Sequence, residues 1–214
     1  MSDAQMTLPN VITITRIAAC PLLVWLVMSS DLTIRFLGFA LFVVAALSDV
    51  YDGYLARRYD LITDMGKLLD PLADKLLLAV TLVPIFLISN RDVELGAFPL
   101  FGAIPMWVVV LIFGRELFMT VFRSYAARKG VVIAAGTAGK RKALFQNLFI
   151  GAALLWFPLA QVAQDLSWGG VAWRFMEVLN PWFATVTLAV AIVLTVYSMI
   201  DYLWSYRTLV GMRD

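Results

Sequence analysis

The chain is poor in the side chains that most protein chemistry relies on. It has one cysteine, Cys20, and no histidine in 214 residues, which excludes an internal disulfide, a structural zinc cluster and an imidazole base. Charge is scarce too: 15% of residues are Asp, Glu, Lys or Arg against 62% hydrophobic, far from the balance of a water-soluble domain. The net charge of +2 is too small to suggest a nucleic-acid partner. Any acid–base or metal chemistry therefore rests on oxygen ligands, chiefly Asp and Glu.

Long apolar runs fill the space that charge leaves. A helix crosses a bilayer with about 20 apolar residues, so this length suits several spans and one membrane domain over residues 1–214. The expected fold is an all-α integral membrane protein with six transmembrane helices. They lie at Val11 to Met28, about Ile34 to Leu55, about Leu68 to Ser89, from near Pro105 past Phe122, about Leu144 to Val162, and about Trp182 to Trp204. The leading segment Met1 to Asn10 lacks a basic n-region and a cleavage site, and is expected to be retained. Arg16, Arg57, Arg58, Lys67, Arg128, Lys129, Lys140 and Arg207 are among the many cations on the side shared by both termini. Only Arg35, Arg91 and Arg174 lie opposite, which predicts that both termini are cytoplasmic. Trp107, Trp168, Trp173, Trp182 and Trp204 near span ends read as interfacial anchors.

The anomaly is acidic. Asp49 and Asp52 are three apart, and Gly53, Ala56 and Arg57 follow on the same helical face. Gly66, Asp70 and Asp74 form a second stripe with a spacing of four on the next helix. A short turn lets the stripes converge near the membrane surface, where four carboxylates of one sign require positive partners. Arg57 can offset one of them. For the rest, one or two hard divalent cations such as Mg²⁺, Mn²⁺ or Ca²⁺ suit carboxylate oxygens, and two such ions suit transfer at phosphorus. The small residues Gly53 and Ala56 leave room for a neighbouring helix or a phosphorylated ligand. Asp60 and Asp64 read as solvated loop charges.

These residues spell D-x2-D-G-x2-A-R-x8-G-x3-D-x3-D without a gap, with Asp49, Asp52, Gly53, Ala56, Arg57, Gly66, Asp70 and Asp74 at the fixed positions. The pattern resembles the signature of the CDP-alcohol phosphatidyltransferases, six-helix membrane enzymes that are usually homodimers. The resemblance implies that Asp49, Asp52, Asp70 and Asp74 bind two divalent cations, Mg²⁺ or Mn²⁺, and that Asp74 also takes the proton from the attacking hydroxyl. It further implies that Gly53, Ala56, Arg57 and, more loosely, Thr63 contact CDP-diacylglycerol. The alcohol oxygen then attacks the phosphorus carrying the lipid and CMP leaves, with no covalent enzyme intermediate.

Acceptor choice must come from outside the motif. Arg115 sits beside Glu116 inside an apolar run, where a purely topological charge is expensive, and Arg123 follows eight residues later on nearly the same face. With Lys140 they are the candidates for binding an acceptor phosphate. Arg128, Lys129, Arg141 and Lys142 are better explained by topology and attraction to anionic lipid. The opening Leu8-Pro9-Asn10-Val11-Ile12-Thr13 with Arg16, the Gly114-Arg115-Glu116 step, and Gly139-Lys140-x-Lys142 through Gln146 resemble the bacterial glycerol 3-phosphate branch of that family. Ala143 departs from it, standing where that branch often has a threonine. The branch implies glycerol 3-phosphate as acceptor and a place in the bacterial cytoplasmic membrane, with the site facing the cytoplasm. Cardiolipin synthases of the same family are the nearest alternative, and a cation transporter or channel is the alternative from another class.

Overall fold

The computed structural model describes residues 7–59, 61, 63–91, 98–130 and 137–206, with the side chains of Arg57, Asp64, Lys67, Thr137 and Ala138 outside that description. Expectations resting on Met1 to Met6, Asp60, the side chains of Arg57, Asp64 and Lys67, the middle of the loop after Asn90, Arg207 and Arg213 thus lie outside the described residues. Six helices follow one another: α1 (Leu8–Met28), α2 (Leu32–Arg58), α3 (Asp64–Arg91), α4 (Met106–Arg128), α5 (Thr137–Asp165) and α6 (Val171–Ser205). Each extends the apolar run expected of it by a few residues, and α6 begins well before Trp182. Five of them, all but α4, are long and apolar enough to cross a membrane, so the protein is a multi-pass membrane protein.

Helix α4 differs because Arg115, Glu116 and Arg123 interrupt its apolar run. Its buried positions Val108, Ile112, Arg115, Met119, Phe122 and Ala126 repeat every three or four residues, so Arg115 lies on the same inward stripe as the apolar side chains. The helix ends follow local chemistry. Pro9 in the first turn of α1 needs no backbone donor there, and Asp31 caps α2 by accepting from the Ile34 amide at 3.0 Å.

Packing runs in two groups. Helix α1 lies against α2 and α3, while α5 and α6 form the most extensive pair, joined to the first group through α2 and α3. Leu23, Phe42, Ile85, Ile112, Phe149 and Leu188 are fully buried in the apolar core they share. At one end the chain folds inward after α3. Phe98 is buried, meets Phe149 and Phe157 edge-on at 5.8 and 6.5 Å, and is held by a tight turn in which Gly102 adopts φ +61°. Trp173 stacks on Trp156 at 5.7 Å and meets Trp168 edge-on, whereas Trp168, Trp107, Trp182 and Trp204 are exposed. The charged residues gather at the other end.

Candidate functional site

Four carboxylates meet on helix α1. Asn10, Thr13 and Arg16 are spaced by three and all are buried, a polar stripe on an otherwise apolar helix. Arg16 pairs through Nη1 with Asp49 and through Nη2 with Asp52, and its Nη1 lies 3.5 Å from Asp74. Thr13 Oγ1 donates to Asp70 at 3.0 Å and lies 3.4 Å from Asp52. Thus α1 brings together Asp49 and Asp52 of α2 with Asp70 and Asp74 of α3. Asp52 is buried, while the Asp74 side chain is 60% exposed and open to a reactant.

The α2–α3 turn is fixed by the same stripe. Asn10 Nδ2 donates to Thr63 Oγ1 at 2.9 Å, and Thr63 Oγ1 accepts from the Gly66 amide at 3.0 Å. A Cβ on Gly66 would meet Asn10 Oδ1 at 2.9 Å and Thr63 Oγ1 at 3.2 Å, so a larger residue there would displace the two side chains that bond across the turn. The Thr63 hydroxyl, expected on a nucleotide, is engaged by this turn. Gly53 and Ala56 are half-buried on α2, and Arg57 shares their helix.

Arg16 is the residue at the centre of the acids that sequence reasoning did not place there. It reads from sequence as one more charge on the side shared by both termini and as part of the branch resemblance, with Arg57 as the counter-cation of the acids. The signal was present in its position: an arginine six residues after Asn10 and three after Thr13, well inside an apolar run, is costly unless buried carboxylates meet it. The donor set of four carboxylates and one hydroxyl, without sulfur or imidazole, fits a hard divalent cation. In the arrangement described, Arg16 takes the central place, and among the described residues no three carboxylates close on a single ion point.

A second ionic cluster stands opposite. Glu116 of α4 pairs with Lys142 of α5 and accepts from Arg115 Nη1 at 3.2 Å, and Arg115 Nη2 donates to Ser198 of α6 at 3.0 Å. Arg123 reaches the Tyr202 hydroxyl at 3.3 Å and lies over its ring at 5.7 Å. Lys142 is only 4% exposed, so the topological explanation given for it from sequence is corrected. Three successive residues at the start of α5 point about 100° apart, and the third faces inward while Lys140 retains exposure and Arg141 points out. Arg128 and Lys129 are exposed, as a topological role requires.

One cavity of about 290 Å³ lies between the clusters. Asp49 and Asp74 form part of its wall, and Arg115, Arg123 and Lys140 form another part, so all three acceptor candidates face a space shared with the acids. Two apolar grooves adjoin it. One, between α2, α5 and α6, meets the cavity at Asn147; the other, between α3 and α4, meets it at Lys75 and Glu116. A volume with acids on one side, cations on the other and apolar channels leading away suits a ligand with a polyphosphate head and hydrocarbon tails.

Known proteins resemble this sequence. The chain is 38% identical over 148 residues to a CDP-diacylglycerol–glycerol-3-phosphate 3-phosphatidyltransferase of Rickettsia bellii (strain RML369-C), covering 69% of this chain and 75% of that protein. It is 35% identical over 176 residues to the protein of the same name from Bacillus subtilis (strain 168), covering 73% and 84%. A probable phosphatidylglycerophosphate synthase of Mycobacterium tuberculosis (strain CDC 1551 / Oshkosh) is 32% identical over 211 residues, 97% of this chain and 85% of that one. The family model for CDP-alcohol phosphatidyltransferases matches residues 6–210. With the signature complete, its acids gathered on α1 and the match running almost end to end, the chain belongs to the CDP-alcohol phosphatidyltransferase family.

Proposed function

We propose that the protein transfers the phosphatidyl group of CDP-diacylglycerol to sn-glycerol 3-phosphate, giving phosphatidylglycerophosphate and CMP. The observation that carries this reading is the single cavity bounded by Asp49 and Asp74 on one side and by Arg115, Arg123 and Lys140 on the other. It offers a site of each sign to two phosphorylated reactants at once. The relatives named above are glycerol-3-phosphate enzymes, which supports that acceptor.

In this scheme Gly53, Ala56, Arg57 and Thr63 contact the liponucleotide, and the cations across the cavity hold the acceptor phosphate. The acceptor hydroxyl gives its proton to an Asp74 carboxylate oxygen and bonds to the phosphorus that carries diacylglycerol, while the bond from that phosphorus to CMP breaks and CMP leaves with the electron pair. Members of the family generally use divalent metal ions. Asp49, Asp52, Asp70 and Asp74 would hold two of them, Mg²⁺ or Mn²⁺, which when bound supply neutralisation of the diphosphate. Arg16 keeps the acids together and remains near enough to the diphosphate to share its charge. The apolar grooves beside the cavity take acyl chains.

The membrane arrangement belongs to the same proposal: α4 is a sixth span whose charges turn inward, both termini lie in the cytoplasm, and the site faces the cytoplasm of a bacterial inner membrane. The active unit is a homodimer. The test is CMP release by purified protein from CDP-diacylglycerol with Mg²⁺, using glycerol 3-phosphate, phosphatidylglycerol, serine and inositol phosphate side by side. Release with glycerol 3-phosphate is expected. Release with phosphatidylglycerol alone would transfer the protein to the cardiolipin branch.

A further inference from the structure

Among the polar groups of the cavity wall outside the two ionic clusters, one is buried with an open donor. Gln146 of α5 is 5% exposed, lines the cavity, and its Nε2 has no hydrogen-bond partner among the described residues. It lies four residues after Lys142, one turn further along the same inward face. Its cationic neighbours have protein partners that leave donors over: Lys142 pairs with Glu116, Arg115 with Glu116 and Ser198 but not through Nε, and Arg123 with Tyr202. Buried amide donors in folded proteins are almost always satisfied, and one left open on a cavity wall marks where a ligand oxygen comes.

The ligand oxygen has a definable chemistry. Formal cations already serve a phosphate in this space, so a neutral amide adds little to charge recognition; it adds direction. Glycerol 3-phosphate carries three groups in a row: a phosphate, a middle hydroxyl and the terminal hydroxyl that reacts. With the phosphate at Arg115, Arg123 and Lys140 and the terminal hydroxyl toward Asp74, the middle hydroxyl lies inside the same cavity, whose wall includes Gln146. We propose that Gln146 Nε2 donates to the C2 hydroxyl of the acceptor, making Gln146 a specificity-determining residue that selects a vicinal diol phosphate. This rests on the acceptor reading given above and extends it to one atom of the acceptor.

An acceptor that lacks only that hydroxyl provides the test. 3-Hydroxypropyl phosphate keeps the phosphate and the terminal alcohol. kcat/KM for it and for glycerol 3-phosphate is measured with wild type, Gln146→Ala and Gln146→Met, which has similar length and no amide and keeps the packing if the alanine variant folds poorly. Wild type is expected to prefer glycerol 3-phosphate by at least about tenfold, the effect of one buried hydrogen bond. In both variants the loss should fall mainly on glycerol 3-phosphate, by about tenfold or more, so that the preference collapses toward one. Equal losses with both acceptors, or a wild type without preference, would overturn the assignment to Gln146 while leaving the acceptor reading intact. A wild type inactive with both acceptors but active with another would overturn the acceptor reading, and this inference with it.

Discussion

The two ionic clusters that flank the cavity are near mirror images in charge. On α1, α2 and α3 one guanidinium, Arg16, meets three carboxylates, and Thr13 holds the fourth, Asp70; on α4 and α5 one carboxylate, Glu116, meets Lys142 and Arg115, with Arg123 and Lys140 on the same cavity wall. Each cluster has one residue of opposite sign at its centre, and each retains an excess. Excess charge at the edge of a membrane is costly, so neither cluster is explained by the folded chain alone. The acidic excess calls for cations and the basic excess for an anion. Burial differs in the same sense. Arg16 and Asp52 are enclosed while Asp74 is open, and Lys142 and Arg115 are enclosed while Lys140 retains exposure, so each cluster pairs an internal anchor with a group available to a ligand.

The comparison breaks most sharply at Asp74. Asp74→Asn is expected to reduce CMP release by at least about a thousandfold while the protein still elutes as a folded species, because a carboxylate that accepts the proton is lost without a change of shape. Turnover within tenfold of wild type would remove Asp74 from that role. On the opposite wall, Arg115→Gln should act on one substrate only: KM for glycerol 3-phosphate rises about tenfold to a hundredfold, as for loss of a charged hydrogen bond, with KM for CDP-diacylglycerol little altered. A matching rise for both substrates would show that the clusters are not separate sites.

The pairing of Lys142 with Glu116 sharpens the account in terms of stability. Lys142→Gln strands Glu116 beside Arg115 alone and should cost about 3 kcal/mol, read as a lower thermal midpoint in detergent, with partial recovery in the Lys142→Gln, Glu116→Gln double variant. Full stability in the single variant would contradict a buried pair. The smallest effect is expected from Arg141→Gln, whose side chain points outward: stability should change by less than about 0.5 kcal/mol, and acceptor KM should stay within experimental error. A large change there would mean that the inward face of α5 has been misidentified.

The acidic half was legible in the sequence because its residues obey a helical register that solvated charges have no reason to keep. Asp49 and Asp52, then Gly66, Asp70 and Asp74, fall on single faces, and the fold brings those faces to α1. What joins them was passed over, since an arginine on the side shared by both termini has an ordinary topological explanation. Arg115 was legible for the reason Arg16 could have been, as a charge inside an apolar run. Lys142 was hidden in a basic run in which composition gives no hint of direction. Tracing the buried stripe of α5 backward finds it: Phe157, Ala153, Phe149, Gln146 and Lys142 succeed one another at intervals of three or four. Span number was harder, because inward charges make α4 less apolar than its neighbours.

The central claim is that Asp49, Asp52, Asp70 and Asp74, gathered on α1 around Arg16 and Thr13, would hold divalent cations. A crystal structure of the protein soaked with Mn²⁺ and recorded at the manganese absorption edge tests it most directly. The account predicts anomalous density among Asp49, Asp52, Asp70 and Asp74. Catalytically competent crystals with no anomalous density there would contradict it.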